Sequence, residues 1–258
     1  MTGVLASVSS AAEAAQVLTE DVAIIDLKDP STGALGALPD ATIRAAVERI
    51  AGRRCVSATA GDLPMQPEIV AAAVARIATL GVDIVKVGLF PGGDRAGCLA
   101  ALGDQAARGR RIVLVLFADQ QADFSVIERA RDLGLAGVML DTAGKQGGSL
   151  RHHLDPARLS EFVARTRAAG LLCGLAGSLR PDDIPALLPL RPDYLGFRGA
   201  LCQAGRTGVL DPARLRAVCA AVRIQPAAAS AATAAAGAQR AAHSHASGVP
   251  ETSVAKSI

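Results

Sequence analysis

Only four of the 27 basic residues in this 258-residue chain are lysines, at positions 28, 86, 145 and 256. Arginine serves wherever a plain positive charge is enough, so each position that keeps an amine needs a reason. An amine can lose its proton at accessible pH and attack a carbonyl carbon, giving an imine that acts as an electron sink; a guanidinium cannot. A free lysine has a pKa near ~10.4, which neighbouring cations and desolvation lower. Lys28, Lys86 and Lys145 converging on one site would supply that repulsion. Carboxylates accompany them. Asp26 lies two residues before Lys28, and residues two apart on a strand share a face. Asp141, followed by Thr142, precedes Lys145. Either Asp could shuttle protons or hold a lysine in its charged form. Asp119 reads equally as a helix cap. The blander alternative is a set of structural ion pairs, Lys28 with Asp29 and Lys86 with Asp83, with Lys145 at a loop tip. It is weakest for Lys86, because an ammonium between Val85 and Val87 in an apolar strand is expensive to bury without a purpose.

The elements that must position these groups are legible as a repeat. Short runs rich in Val, Ile and Leu recur, each followed by an Ala/Arg/Glu stretch of helical periodicity. Strands are predicted over 3–8, 22–28, 54–60, 83–89, 112–118, 137–142, 171–177 and 193–198. Helices are predicted near 11–18, 40–50, 67–79, 97–108, 122–133, 155–168, 181–188 and 211–221. Pro156, Pro181 and Pro212 mark first helical turns. Eight alternations argue for an α/β chain folded as a single (β/α)₈ barrel of the TIM type over an open doubly wound sheet. In such a barrel the carboxyl ends of the strands build the active site. Lys28 ends the second strand, Lys86 lies in the fourth, and Lys145 follows the sixth, with the face of Asp26 and Lys28 turned inward.

The turns after strands seven and eight are where many barrels hold a substrate phosphate. They read Gly177-Ser178 and Arg198-Gly199-Ala200. Small residues let backbone N–H groups approach an anion, Ser178 adds a hydroxyl, and Arg198 stands beside the second turn. Ordinary glycines at tight turns are the alternative. Residues 144–149 read as a mobile lid carrying Lys145 or as a merely flexible loop. His152-His153 has no third ligand at metal spacing, so no metal site is expected.

Half the residues are hydrophobic and a fifth charged, enough for a large core. With no Trp, one Tyr and five Phe, stacking platforms for single-stranded nucleic acid are not expected. The net charge of +3 is small, and its arginines are scattered along predicted helices, which also argues against nucleic acid. Five cysteines without a Cys-x-x-Cys pair suit a reducing cytoplasm. No apolar run approaches the ~20 residues of a membrane span. The expected organisation is a barrel over 1–225 and an Ala/Ser-rich, disordered tail over 226–258. A homo-oligomer is left open.

The run Ile24-Ile25-Asp26-Leu27-Lys28-Asp29-Pro30, then Ser31-Thr32-Gly33-Ala34-Leu35-Gly36-Ala37, resembles the opening motif of the (5-formylfuran-3-yl)methyl phosphate synthases of methanofuran-type cofactor biosynthesis. Further matches follow in order: Val56-Ser57-Ala58-Thr59-Ala60-Gly61-Asp62, Val85-Lys86-Val87-Gly88-Leu89, Met139-Leu140-Asp141-Thr142, Leu175-Ala176-Gly177-Ser178 and Arg198-Gly199-Ala200. They span about residues 3 to 205. Asp29 stands where that family has asparagine, and the segment after 225 has no counterpart. The resemblance implies condensation of two glyceraldehyde 3-phosphate molecules, with loss of phosphate and water, to a phosphorylated hydroxymethyl-furan aldehyde, without a cofactor. It implies Lys28 as the Schiff-base lysine, Lys86 as a proton donor or acceptor, and Lys145, Asp26 and Asp141 as supporting acid/base groups. A class I aldolase giving an open-chain product is the nearest other enzyme. A non-catalytic barrel that binds sugar phosphates would share the Gly-Ser turns but has no need of three inward lysines.

Overall fold

The computed structural model describes residues 1–144 and 147–224. Lys145 and the tail predicted over 226–258 therefore lie outside the described residues. Met1–Arg223 forms one compact unit, and of the second, Ile224–Ile258, only Ile224 is described.

The strands are β1 (Gly3–Val8), β2 (Ile24–Leu27), β3 (Cys55–Thr59), β4 (Ile84–Gly88), β5 (Ile112–Phe117), β6 (Gly137–Asp141), β7 (Leu172–Leu175) and β8 (Tyr194–Phe197). They pair in parallel in sequence order, and β1 pairs with β8 to close the barrel. Strands covered on both faces read as continuous apolar runs, as Ile112-Val113-Leu114-Val115-Leu116-Phe117 does, buried throughout. The period of two still sorts the side chains. Val4, Ile25, Val85 and Leu114 point outward into the core shared with the helices. Leu5, Ile24, Ile84, Val113, Val115, Met139 and Tyr194 fill the barrel itself.

The covering helices are α1 (Ala11–Val17), α2 (Asp40–Ile50), α3 (Pro67–Ala78), α4 (Arg95–Ala107), α5 (Val126–Asp132), α6 (Leu150–His153), α7 (Pro156–Ala168), α8 (Ile184–Leu187) and α9 (Pro212–Arg223). The Asp155 side chain accepts the Arg158 N–H, with Pro156 at the first helical position. Asp94 accepts the Gly97 N–H and so starts α4 two residues before its predicted beginning. α5 begins later than expected, after a turn in which Asp123 accepts the Ser125 N–H. The clearest departure lies between β7 and β8. In place of one helix over 181–188, the chain makes a 3₁₀ turn (Pro181–Asp183), α8, and a second 3₁₀ turn (Leu188–Leu190). Pro185 and Pro189 have no N–H to give an α-helical ladder, which breaks it into single turns. The short α6 was not foreseen; the Ser149 N–H donates to His152 Nδ1 at its start.

The inward positions nearest the carboxyl ends of β7 and β8, Ala176 and Gly196, hold small residues. The Tyr194 ring covers Gly174 so closely that a Cβ there would collide with it, and a Cβ on Gly196 would lie 2.9 Å from that of Ala176. This scarcity of side chains at the carboxyl ends of the two strands leaves room for a cavity.

Candidate active site

Strand register sets the first part of the site. Ser7 of β1 is opposite Asp26 of β2, and Asp26 is opposite Ser57 of β3, all three inward. Each hydroxyl donates to the carboxylate, Ser7 Oγ to Oδ2 at 2.9 Å and Ser57 Oγ to Oδ1 at 2.6 Å. Lys86 reaches the same group from β4, its Nζ 2.9 Å from Asp26 Oδ2. Asp26 is 0% and Lys86 2% exposed. Burial would raise the Asp26 carboxyl, but the charges of Lys86 and Lys28 and the Ser57 hydroxyl outweigh it and hold it below the usual carboxylate range.

Lys28 stands one step higher, just past β2, with its backbone N–H tied to the Val8 carbonyl. The residue is 8% exposed, and Nζ lies 3.7 Å from Asp141 Oδ2 at the end of β6. Asp141 Oδ1 accepts the N–H of Thr142. Lys28, Lys86 and Asp141 all line one cavity of about 780 Å³ that opens at the carboxyl ends of the strands, within the range of small-molecule sites. Asp26 lies beneath it as the counter-charge to Lys86. The structural pairings of the blander reading are not formed: Asp83 accepts the Val56 N–H, and Asp29 accepts both the N–H and the hydroxyl of Ser31. A single side-chain oxygen suffices for that turn, and asparagine has one too.

Gly177, Ser178, Arg198, Gly199 and Ala200 line the same cavity. Gly177 (φ 102°) and Ser178 (φ 49°) are both left-handed, and a Cβ on Gly177 would lie 2.9 Å from Thr142 Cγ2 and 3.1 Å from its backbone nitrogen. Glycine is required there by conformation and by the closeness of β6. Ser178 is exposed, and its hydroxyl has no hydrogen bond among the described residues. Gly199 and Ala200 open a 3₁₀ turn. The guanidinium of Arg198 is spent inside the chain. Nε donates to the Arg206 carbonyl, Nη1 to the Ser7 carbonyl and Glu13 Oε2, and Nη2 to Glu13 Oε1 and the Gly208 carbonyl. Those are all five of its N–H groups. Burial would raise Glu13, and the Arg198 pair and the Ser9 N–H more than offset it, leaving the carboxyl lowered.

Two further carboxylates hold the rim. Asp62 accepts the N–H groups of Ala34 and Leu35, fixing the loop after Lys28. Asp119 caps no helix; it accepts those of Ala143 and Gly144, at the end of β6. The residues that sequence reasoning missed are Ser7, Ser57, Glu13, Arg206 and Arg180. The first two carry a signal, a hydroxyl at an inward position of an otherwise largely apolar strand. Besides the lysines, the cavity wall holds Arg180, Arg198, Arg206 and Arg214 against Asp141 and Asp182, a positive surplus suited to an anionic ligand. Among the described residues, no helix is long and apolar enough to cross a membrane.

The sequence profile of the 4-HFC-P synthase family matches residues 4–219. A (5-formylfuran-3-yl)methyl phosphate synthase of Methanopyrus kandleri is 37% identical over 204 residues, covering 75% of this chain and 86% of its own. A Methylorubrum extorquens protein that bears the same name provisionally is 43% identical over 224 residues, 86% of this chain and 92% of its own. Among solved structures, the phosphoribosyl anthranilate isomerase of Thermus thermophilus superposes with a TM-score of 0.62 at 17% identity, over 86% of this chain and 98% of its own. At that identity the likeness is one of fold.

Proposed function

The chain belongs to the 4-HFC-P synthase family of enzymes, and from that premise we propose that it condenses two molecules of glyceraldehyde 3-phosphate through an imine on Lys28. The observation that carries this reading is the pairing of a nearly buried lysine with a carboxylate on the wall of a cation-rich cavity: Lys28 Nζ stands 3.7 Å from Asp141. An imine at Lys28 acidifies the neighbouring C–H. Once a base removes that proton, the resulting enamine is the carbon nucleophile that joining two aldehydes requires. Asp141 is in place to take or return protons there, and Lys86, held by Asp26, presents a second acid to the cavity. Lys145 would join them as a further acid/base group. Two triose phosphates less one phosphate and two waters have the composition of the furan aldehyde phosphate. The sum therefore closes without an oxidant or reductant, and the reaction asks for no redox cofactor.

A phosphate of the substrate would lie against the backbone of Gly177, Ser178, Gly199 and Ala200, with Arg198 holding the second turn in place. The product belongs to methanofuran-type biosynthesis, and the activity would be that of a lyase. Incubation with glyceraldehyde 3-phosphate alone, followed by mass identification of the product, tests this reading. A furan absorbing in the near ultraviolet is expected. An open-chain sugar phosphate would make the protein a class I aldolase, and unchanged substrate would make it a sugar-phosphate-binding barrel.

A further inference from the structure

A condensation of two phosphorylated aldehydes needs two places for phosphate, and the turns after β7 and β8 supply one. We propose that Arg206 binds the phosphate of the second aldehyde, the one that does not form the imine; this assignment rests on the condensation reading. Arg206 lines the cavity and is half-buried. Among the described residues its guanidinium makes one hydrogen bond, from Nη2 to the Gly33 carbonyl at 2.6 Å, and no carboxylate lies within ion-pair distance. Of the other cations on the wall, Lys86 is matched by Asp26 and Arg198 by Glu13.

The loop that carries Arg206 is held rigidly. Cys202 and Leu210 form an antiparallel bridge, the Gln203 N–H donates to the Val209 carbonyl, and Arg198 holds the carbonyls of Arg206 and Gly208. A side chain at position 208 would overlap the Gln203 carbonyl, so the loop closes only around glycine. The backbone of Arg206 borders the first site, 3.7 Å from where a Cβ on Gly199 would stand, and from there its guanidinium extends past β1 to the loop after Lys28 on the β2 side. Burial strips water from Arg206 and lowers it from the usual guanidinium value, while the field of Asp141, Asp62 and Asp29 only partly compensates. A planar, preorganised and under-compensated guanidinium suits bidentate capture of a phosphate.

The test compares native enzyme with Arg206→Gln and Arg206→Lys, using glyceraldehyde 3-phosphate in two assays. Borohydride trapping on Lys28 reports the first aldehyde, and furan formation reports the second. For Arg206→Gln the substrate concentration giving half-maximal trapping should stay as in native enzyme, while furan formation at low substrate falls about 100-fold or more. Arg206→Lys should recover only part of the loss, since the charge returns without the fork. Equal shifts in both assays would place Arg206 at the first phosphate, and unchanged turnover in a variant with native melting would remove it from the site; either result overturns the proposal. If native enzyme gives no Lys28 adduct at all, the condensation reading fails first and takes this assignment with it.

Discussion

Replacing Asp26 by Asn removes the carboxylate paired with Lys86 while keeping its shape. At the observed 2.9 Å, and with an effective dielectric near ~20, the attraction is about 6 kcal/mol. Desolvation of both groups offsets much of this, and removing one partner from a buried pair costs roughly 3–5 kcal/mol, because the other charge is left stranded. Lys86 is 2% exposed, and Asp26 is its ion-pair partner. With a urea slope of about 3 kcal/mol/M, the unfolding midpoint of Asp26→Asn at neutral pH should fall by about 1 M or more. The pH dependence follows from the same pair. Asp26 is held below its unfolded value, so its contribution is present at neutral pH. It is lost as pH falls from about 4 through the lowered folded value. The gap between native protein and Asp26→Asn should therefore narrow in acid. Adding Lys86→Met to Asp26→Asn should restore much of the loss, since no charge is then buried. A native midpoint for Asp26→Asn, or a gap that stays constant into acid, would refute the ion pair as the organising contact of the barrel interior.

Ser178→Ala should cost one charge-assisted hydrogen bond to phosphate, roughly 1.5–3 kcal/mol, read as weaker inhibition by inorganic phosphate in steady-state kinetics. Gly177→Val acts differently: at φ 102° and 2.9 Å from Thr142 the new side chain strains the backbone and pushes on β6, so thermal melting should drop as well as phosphate affinity. Deleting residues 226–258 should leave melting and turnover unchanged, because Met1–Arg223 forms the barrel unit and holds all the described residues of the site; a loss of either would give the tail a part in the fold or the chemistry.

The repeat of apolar runs was enough to place every strand, because a parallel sheet buried on both faces leaves a strong local imprint. Period two was enough to put Asp26 and Lys28 on one inward face. What one segment could not reveal is register. The row Ser7–Asp26–Ser57 exists only once three strands are aligned, and Lys86 meets Asp26 from 60 residues away. Arg198 was legible as a cation beside a phosphate turn, but its partner Glu13 lies 185 residues back in the chain. Arg206 sits in a loop whose shape depends on that pair, so nothing local marked it. The single helix expected over 181–188 was a miss: the absent N–H groups of Pro185 and Pro189 outweigh the helical spacing of the leucines around them.

The central claim is that Lys28 forms the imine. Native enzyme incubated with glyceraldehyde 3-phosphate, reduced with borohydride and digested should carry its adduct on the peptide containing Lys28. Lys28→Arg, which keeps the charge and loses the removable proton, should show neither adduct nor furan. An adduct confined to Lys86 or Lys145, or sustained turnover by Lys28→Arg, would contradict the account.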